Sequence, residues 1–142
     1  MELRLFIPVN PMAKQSFRFT KSGMKFQSKD VVEYKNTLQS VIISQLPKGF
    51  VPFEKGLYVI YHFKYPYPAN LSKKKKNGMI EKFGKIFRSK KQDLDNLQKA
   101  VNDAMNGIVF KDDSLICVAN CFKYYSDKPG TLVIVSEIEN YI

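Results

Sequence analysis

The run from Leu57 to Tyr65 constrains the fold of this chain most. Six of its nine residues are β-branched or aromatic, and these residue types fit the pleated, half-buried surface of a sheet. Pro66 and Pro68 follow at once, and proline lacks the amide donor that a sheet interior needs. The run therefore predicts a central strand that stops at Pro66.

Other segments show strand alternation or flank turn signals. They are Leu3 to Val9, Leu115 to Tyr125 and Thr131 to Ile138, with a small hairpin of Ser16 to Phe19 and Met24 to Phe26 around Lys21-Ser22-Gly23. The strands Leu115 to Tyr125 and Thr131 to Ile138 lie on either side of a turn at 127–130.

Two segments have apolar residues at helical spacing instead. The first helix is predicted from Ser28, its N-cap, to about Leu46, before Pro47. The second is predicted from Asp93 to Asn106. We therefore expect an α/β (mixed α+β) fold: a single domain over residues 1–142 with a small mixed sheet and two main helices.

The positive charge of the chain is concentrated in one segment. Lys and Arg number 23 against 13 acids, a net charge of +10. Residues 73–91 hold nine of these cations and one acid, Glu81, and so carry +8. We interpret 71–91 as a mobile basic loop, with room for a short hairpin, that follows the phosphates of a nucleic acid. A solvated lysine run and an anionic membrane surface as partner remain as alternatives.

Several classes of protein are disfavoured. The start carries no apolar signal segment, and no apolar run is long enough to cross a bilayer. Cys117 and Cys121 do not make a disulfide framework, and we expect both to be small buried side chains. One histidine, His62, cannot support a zinc site or a Ser-His-Asp triad. No phosphate-binding glycine motif predicts a nucleotide cofactor. We expect a soluble, cytosolic protein without a membrane partner.

Acidic residues on and after the second helix suggest chemistry. Asp95, Lys99 and Asp103 lie four residues apart and share its polar face, and Asp93 stands at its start. A third carboxylate could come from the turn at 112–113, and Mg²⁺ favours such hard oxygen ligands. The spacing does not choose among these acids. They could equally cap the helix and pair with Lys99.

The same segment resembles the RusA family of Holliday-junction resolvases. That family shows the pattern D-x-D-N-L-x-K-x₃-D-A, followed shortly by D-D. The matching positions here are Asp93, Asp95, Asn96, Leu97, Lys99, Asp103, Ala104, Gly107, Asp112 and Asp113. The segment from Pro8 to Phe19 is also similar to the basic, proline-containing opening of the family.

The resemblance implies a structure-specific endodeoxyribonuclease that resolves Holliday junctions by paired symmetric nicks in recombination and repair. It implies a homodimer that depends on Mg²⁺, with Mn²⁺ as a substitute, in the cytoplasm of a bacterium or of a phage-infected host. Asp93, Asp95 and Asp113 would bind the metal and, with Lys99, form the catalytic set. Asn96, Asp103 and Asp112 would support them.

The predicted DNA contacts are basic residues of the opening and of the lysine-rich segment: Lys14, Arg18, Lys73, Lys74, Lys75, Lys76, Arg88, Lys90 and Lys91. Two other functions remain open. The chain could be a non-catalytic, basic DNA-binding or architectural protein, whose acids only cap a helix. It could also be a nuclease of the same fold that acts on other branched DNA, such as forks or flaps.

Overall fold

A computed structural model of the chain describes residues 1–13, 18–19, 21–23, 25–26 and 29–142. Its strands are β1 (Glu2–Ile7), β2 (Arg18–Phe19), β3 (Lys25–Phe26), β4 (Leu57–Tyr65), β5 (Ile116–Tyr125) and β6 (Gly130–Glu137). Its helices are α1 (Lys29–Gln45), α2 (Lys73–Phe83) and α3 (Leu94–Met105), with a short 3₁₀ helix at Asp113–Leu115. The structure thus confirms a mixed α/β fold.

The main sheet has the strand order β1-β6-β4-β5, and β4 lies in its interior as predicted. β4 is antiparallel to β6 and parallel to β5. The turn after Tyr125 therefore joins two strands that are not neighbours, because β4 lies between them. The alternating burial of β4 follows from the strand period, which sends successive side chains to opposite faces of the sheet.

The core lies on one face of this sheet. There α1 buries Val31, Tyr34, Leu38 and Ile42 at helical spacing, and α3 packs beside it. These helices meet the side chains of β1, β4 and β6 that share this face. In α3 the predicted apolar stripe is buried except at its first residue, Leu94, which is 37% exposed. No helix within the described ranges is long and apolar enough to cross a membrane.

The predicted N-terminal hairpin is found as the pairing of β2 with β3, where Arg18 lies opposite Phe26 and Phe19 opposite Lys25. Lys14, a predicted DNA contact, and Ser28, the predicted cap of α1, lie outside the described residues.

The expected loop at 71–91 was wrong over Lys73–Phe83, which form α2. The side chain of Ser72 accepts a hydrogen bond from the backbone N–H of Lys75 and caps the helix at its start. At its end Gly84 has φ +79°, a conformation that glycine adopts without a Cβ penalty. Local caps therefore define both ends of α2.

Contacts with the rest of the protein hold α2 in place, although none of its residues is buried. Four lysines in its first turn oppose the helix dipole. Two contacts of Lys76 offset part of this unfavourable interaction. Its Nζ lies 2.9 Å from Oδ1 of Asp127 and 4.1 Å from the ring centroid of Tyr67. Lys76 thus connects α2 to a residue 51 positions away in the sequence.

The cysteine prediction was also wrong in part. Both cysteines lie on β5, an edge strand of the sheet. Cys117 is exposed, since no strand covers the outer edge of β5 along that stretch of the described chain. Cys121 is half-buried, and this burial raises the pKa of its thiol to about 11.

Candidate active site

Helix α3 presents a carboxylate at its first turn that the helix itself does not use. Asp93 occupies the N-cap position with extended backbone, and its carbonyl oxygen accepts the first helical hydrogen bond, from the N–H of Leu97, at 3.1 Å. Its side chain makes no capping hydrogen bond. Helix capping therefore does not account for the carboxylate of Asp93, which is exposed at the surface.

Asp95 and Lys99 share one face of α3, as their spacing predicts. The Nζ of Lys99 lies 3.9 Å from Oδ2 of Asp95, and the two side chains are 64% and 70% exposed. An exposed pair of this kind contributes only about 0.3–0.5 kcal/mol. Because the attraction is weak, both groups remain available to a substrate or an ion. Asn96 and Asp103, predicted as supporting residues, are half-buried on the same helix.

The two acids before β5 have different surroundings. Asp112 caps the 3₁₀ helix, because its Oδ2 accepts a hydrogen bond from the N–H of Ser114 at 3.0 Å. Hydrogen bonds from Ser114 lower the pKa of this carboxyl. Asp113, the next residue, is exposed and makes no such cap. Asp112 therefore has a local structural role, and Asp113 is the acid that could contact a ligand.

A buried polar cluster joins β4 to the middle of α3. The hydroxyl of Tyr61 on β4 donates to Oδ1 of Asn102 at 2.6 Å, and both residues are buried. Gln98 interacts with the same hydroxyl and accepts from the thiol of Cys121 at 3.5 Å. Burial raises the pKa of Tyr61 well above its usual range, and the negative charge of Asp113 adds to this rise. Asp113 therefore lies within electrostatic reach of Tyr61.

The sequence reasoning missed Tyr61, Gln98 and Asn102. Only Asn102 gave a signal, since it is a polar residue between the buried Val101 and Ala104. A buried polar side chain needs a partner, so an asparagine in that place indicates a hydrogen bond to another element.

The family resemblance implies a metal site made by Asp93, Asp95 and Asp113. In the described part of the chain, no group of three or more His, Cys, Asp or Glu side chains is arranged to hold a metal ion. Asp93 and Asp95 lie at the start of α3, and Asp113 begins the 3₁₀ helix before β5. The donor chemistry nevertheless fits Mg²⁺, which takes one or two carboxylates and keeps several waters.

Lys123 of β5 holds the segment that leads into Asp93. Its Nζ donates to the backbone carbonyls of Lys90 and Gln92, each at 2.7 Å. The hydroxyl of Tyr65 also donates to Oε1 of Gln92, at 3.1 Å. The residue before Asp93 is thus fixed through both its backbone and its side chain. No pattern in the sequence indicated this role for Lys123.

Arg88 anchors the same segment two residues before Lys90. Its guanidinium carbon lies 3.8 Å from the ring centroid of Tyr65, and its backbone N–H donates to the backbone carbonyl of Lys123 at 3.0 Å. Burial raises the pKa of Tyr65 to about 12, although the positive charge of Arg88 opposes the rise. Arg88 therefore supports the segment through an aromatic contact, and only part of its side chain reaches solvent.

The predicted DNA contacts fall into three groups. Exposed cations are Lys73, Lys74 and Lys75 on the first turn of α2, and Lys90 and Lys91 before α3. Lys76 forms an ion pair with Asp127, and the guanidinium of Arg88 lies over the ring of Tyr65. Arg18 lies on β2, opposite Phe26. Of the exposed group, Lys90 and Lys91 supply charge beside the start of α3.

Replacement of Tyr61 by phenylalanine tests the buried cluster. The change removes the hydroxyl and leaves the buried Oδ1 of Asn102 without its partner, so we expect a loss of about 1–3 kcal/mol in the free energy of unfolding. Urea denaturation measures this loss. Tyr58→Phe is the matched control, because the hydroxyl of Tyr58 on the same strand accepts from the exposed Asn120. Equal, small losses in both variants would contradict the role of the cluster.

Comparison with known proteins places the chain in a family. A family model described as Endodeoxyribonuclease RusA matches residues 8–136. The chain is also similar to the Uncharacterized protein YqaN of Bacillus subtilis (strain 168), with 34% identity over 73 residues. That match covers 51% of this chain and 51% of the relative, so the chain matches about half the length of this protein. Because the family match covers nearly the whole sequence, the chain belongs to the RusA endodeoxyribonuclease family.

Proposed function

We propose that the chain is a Mg²⁺-dependent, structure-specific endodeoxyribonuclease that resolves four-way DNA junctions by paired symmetric nicks. The observation that carries this proposal is the exposed carboxylate of Asp93, which α3 does not use as a cap. Asp95 and Lys99 lie on the adjoining turn of the same helix, in a chain whose family is described as an endodeoxyribonuclease.

Asp93, Asp95 and Asp113 would hold the ion. When bound, Mg²⁺ supplies Lewis-acid chemistry at a phosphate ester. Lys99 stabilises the negative charge that develops on the phosphoryl oxygens, because its ammonium group lies one turn from Asp95 and faces solvent. Hydrolysis then leaves a 5′-phosphate and a 3′-hydroxyl.

The basic segment draws in the substrate. Lys73, Lys74 and Lys75 extend from the first turn of α2, and Lys90 and Lys91 lie just before the acids. Each lysine placed near a phosphate releases condensed counterions, so binding falls as salt rises. A four-way junction has two-fold symmetry, and a homodimer would present one acidic site to each of the two strands that are cut.

A cleavage assay tests the proposal on labelled four-way, forked and linear duplexes, with Mg²⁺, with Mn²⁺ and with EDTA. We expect paired, symmetric nicks on the four-way junction with either metal, and none with EDTA. Junctions nicked on one strand should stay rare if both sites of a homodimer act in one binding event.

The other outcomes separate the alternatives. Binding to every substrate without any cut, at every metal concentration, would support a DNA-binding or architectural protein. Cuts confined to forks, with the four-way junction left intact, would support a nuclease for other branched DNA. Accumulation of singly nicked junctions would contradict the homodimer.

A further inference from the structure

A cavity of about 440 Å³ lies between α2 and the carboxyl ends of β4 and β5. Three lysines line it from three separate parts of the chain: Lys64 near the end of β4, Lys85 after α2, and Lys128 in the turn before β6. Tyrosine side chains complete much of the wall, among them Tyr67 and Tyr124. Cations from such distant positions meet here only through the fold.

Charge in this cavity is not balanced by the protein. Asp127 is the one acid that lines it within the described chain, and Lys76 already pairs with that carboxylate at 2.9 Å. Among the described residues, none of the three lysines forms an ion pair with a carboxylate. The walls thus present one half-buried cation, Lys64, beside two exposed ones, Lys85 and Lys128, and no available counter-charge.

This crowding has an energetic cost to the folded protein. Burial lowers the pKa of Lys64, and the charges of Lys85 and Lys128 lower it further. Both effects oppose the charged form of a lysine. An anion bound beside Lys64 relieves this repulsion, since opposite charges attract more strongly where water is partly excluded. The cavity is therefore arranged to receive a negatively charged group.

We propose that this cavity binds a backbone phosphate of the DNA substrate, outside the acidic site. Lys64 and Tyr124 alternate along their strands with residues of the core face, so the cavity lies on the opposite face of the sheet from α3. It lies at the same end of β4 and β5 as the segment that Lys123 holds before Asp93. The cavity and this segment thus lie at one end of the sheet, on its two faces.

Features of the surroundings favour DNA over free phosphate. The cavity is larger than one phosphate group needs, and the exposed lysines 73–75 extend the basic surface along α2, which forms one of its walls. Lysines 73–75 and the lysines of the cavity together offer several positive charges to successive phosphates of one DNA strand. The choice of DNA rests on the proposed function, whereas the preference for an anion rests on the lysines alone.

The test measures junction binding by the Lys64→Gln/Lys85→Gln double variant. Both it and its parent carry Asp95→Asn, and fluorescence anisotropy is read across a range of NaCl concentrations. We expect binding to weaken roughly tenfold at low salt, and the slope of log affinity against log salt to become shallower by about one to two. Unchanged affinity and slope would overturn the proposal.

Two further variants serve as controls for the loss of charge and for the loss of fold. Lys48→Gln/Lys55→Gln removes the same charge from exposed lysines that precede β4, at its other end, and should change affinity by less than about twofold. Lys64→Arg/Lys85→Arg keeps the charge and should retain most of the affinity. If the arginine pair binds as poorly as the glutamine pair, loss of fold rather than of charge explains the result, and the proposal fails.

Thermal melts with inorganic phosphate distinguish the source of the anion. If millimolar phosphate stabilises the parent and not the glutamine variant, while both bind the junction equally, the cavity serves free phosphate and the DNA assignment is wrong. None of these measurements needs cleavage. If the unaltered protein cuts junctions but the glutamine variant binds them as tightly as its parent, only this inference is wrong. If the unaltered protein does not cut but the glutamine variant binds the junction more weakly, only the proposed function is wrong.

Discussion

Replacement of Asp95 by asparagine is expected to reduce junction cutting in Mg²⁺ by at least about 10²–10³-fold, the range for loss of a group that acts directly on developing charge. Junction binding should be unchanged or tighter. The carboxylate is exposed on α3 beside Lys99, so the substitution removes a candidate metal ligand without opening the core. It also removes a negative charge that repels the phosphates of the DNA.

Single-turnover cleavage rates and binding in EDTA measure the two effects separately. Asp30→Asn is the matched control, because Asp30 is likewise an exposed acid in the first turn of a helix. Its cleavage rate should stay near that of the unaltered protein. A near-normal rate for Asp95→Asn in Mg²⁺ would mean that the acidic site has been placed wrongly.

Lys99→Gln should slow cutting by about 10²-fold, because a cation that stabilises charge in the transition state contributes on that order. Junction affinity should change much less, since only one of many positive charges is lost. The effect on stability should also be small, because the 3.9 Å pair with Asp95 is exposed. Loss of rate with retained binding separates a catalytic role from simple attraction of DNA.

Lys29→Gln provides the comparison for Lys99. Lys29 pairs with Glu33 one turn along α1, at 3.8 Å and with similarly high exposure. The two substitutions therefore remove the same charge and the same kind of helical ion pair. If both variants cut equally slowly in single-turnover assays, the rate depends on overall charge, and Lys99 has no special role.

Local periodicity predicted the elements that bury a regular face. α1, α3 and β4 were found close to their expected bounds because their apolar residues recur every three to four residues or alternate. α2 was missed because its sequence carries lysines where a helix favours acids. One of its anchors, Asp127, lies 51 residues from Lys76 in the sequence. The position of β4 between β5 and β6 was equally hidden, since strand order depends on long-range pairing.

The candidate site, like the fold, was predicted only where the pattern is local. Spacing within one helix predicted that Asp95 and Lys99 share a face, and the structure places their charged atoms 3.9 Å apart. The position of Asp113 relative to α3 depends on the path of the chain between the helix and β5, which no local pattern encodes. For the same reason the contacts of Lys123 with the carbonyls before Asp93 were not foreseen.

The pairing of β1 with β6 affects how the chain folds during synthesis. Ile7 lies opposite Thr131, so the first strand leaves the ribosome about 125 residues before the strand that completes it. Until then the apolar side chains of Leu3, Leu5 and Ile7 have no sheet to join. Pairings this distant in sequence slow folding. The opening strand therefore stays without its pairing partner until β6 has left the ribosome.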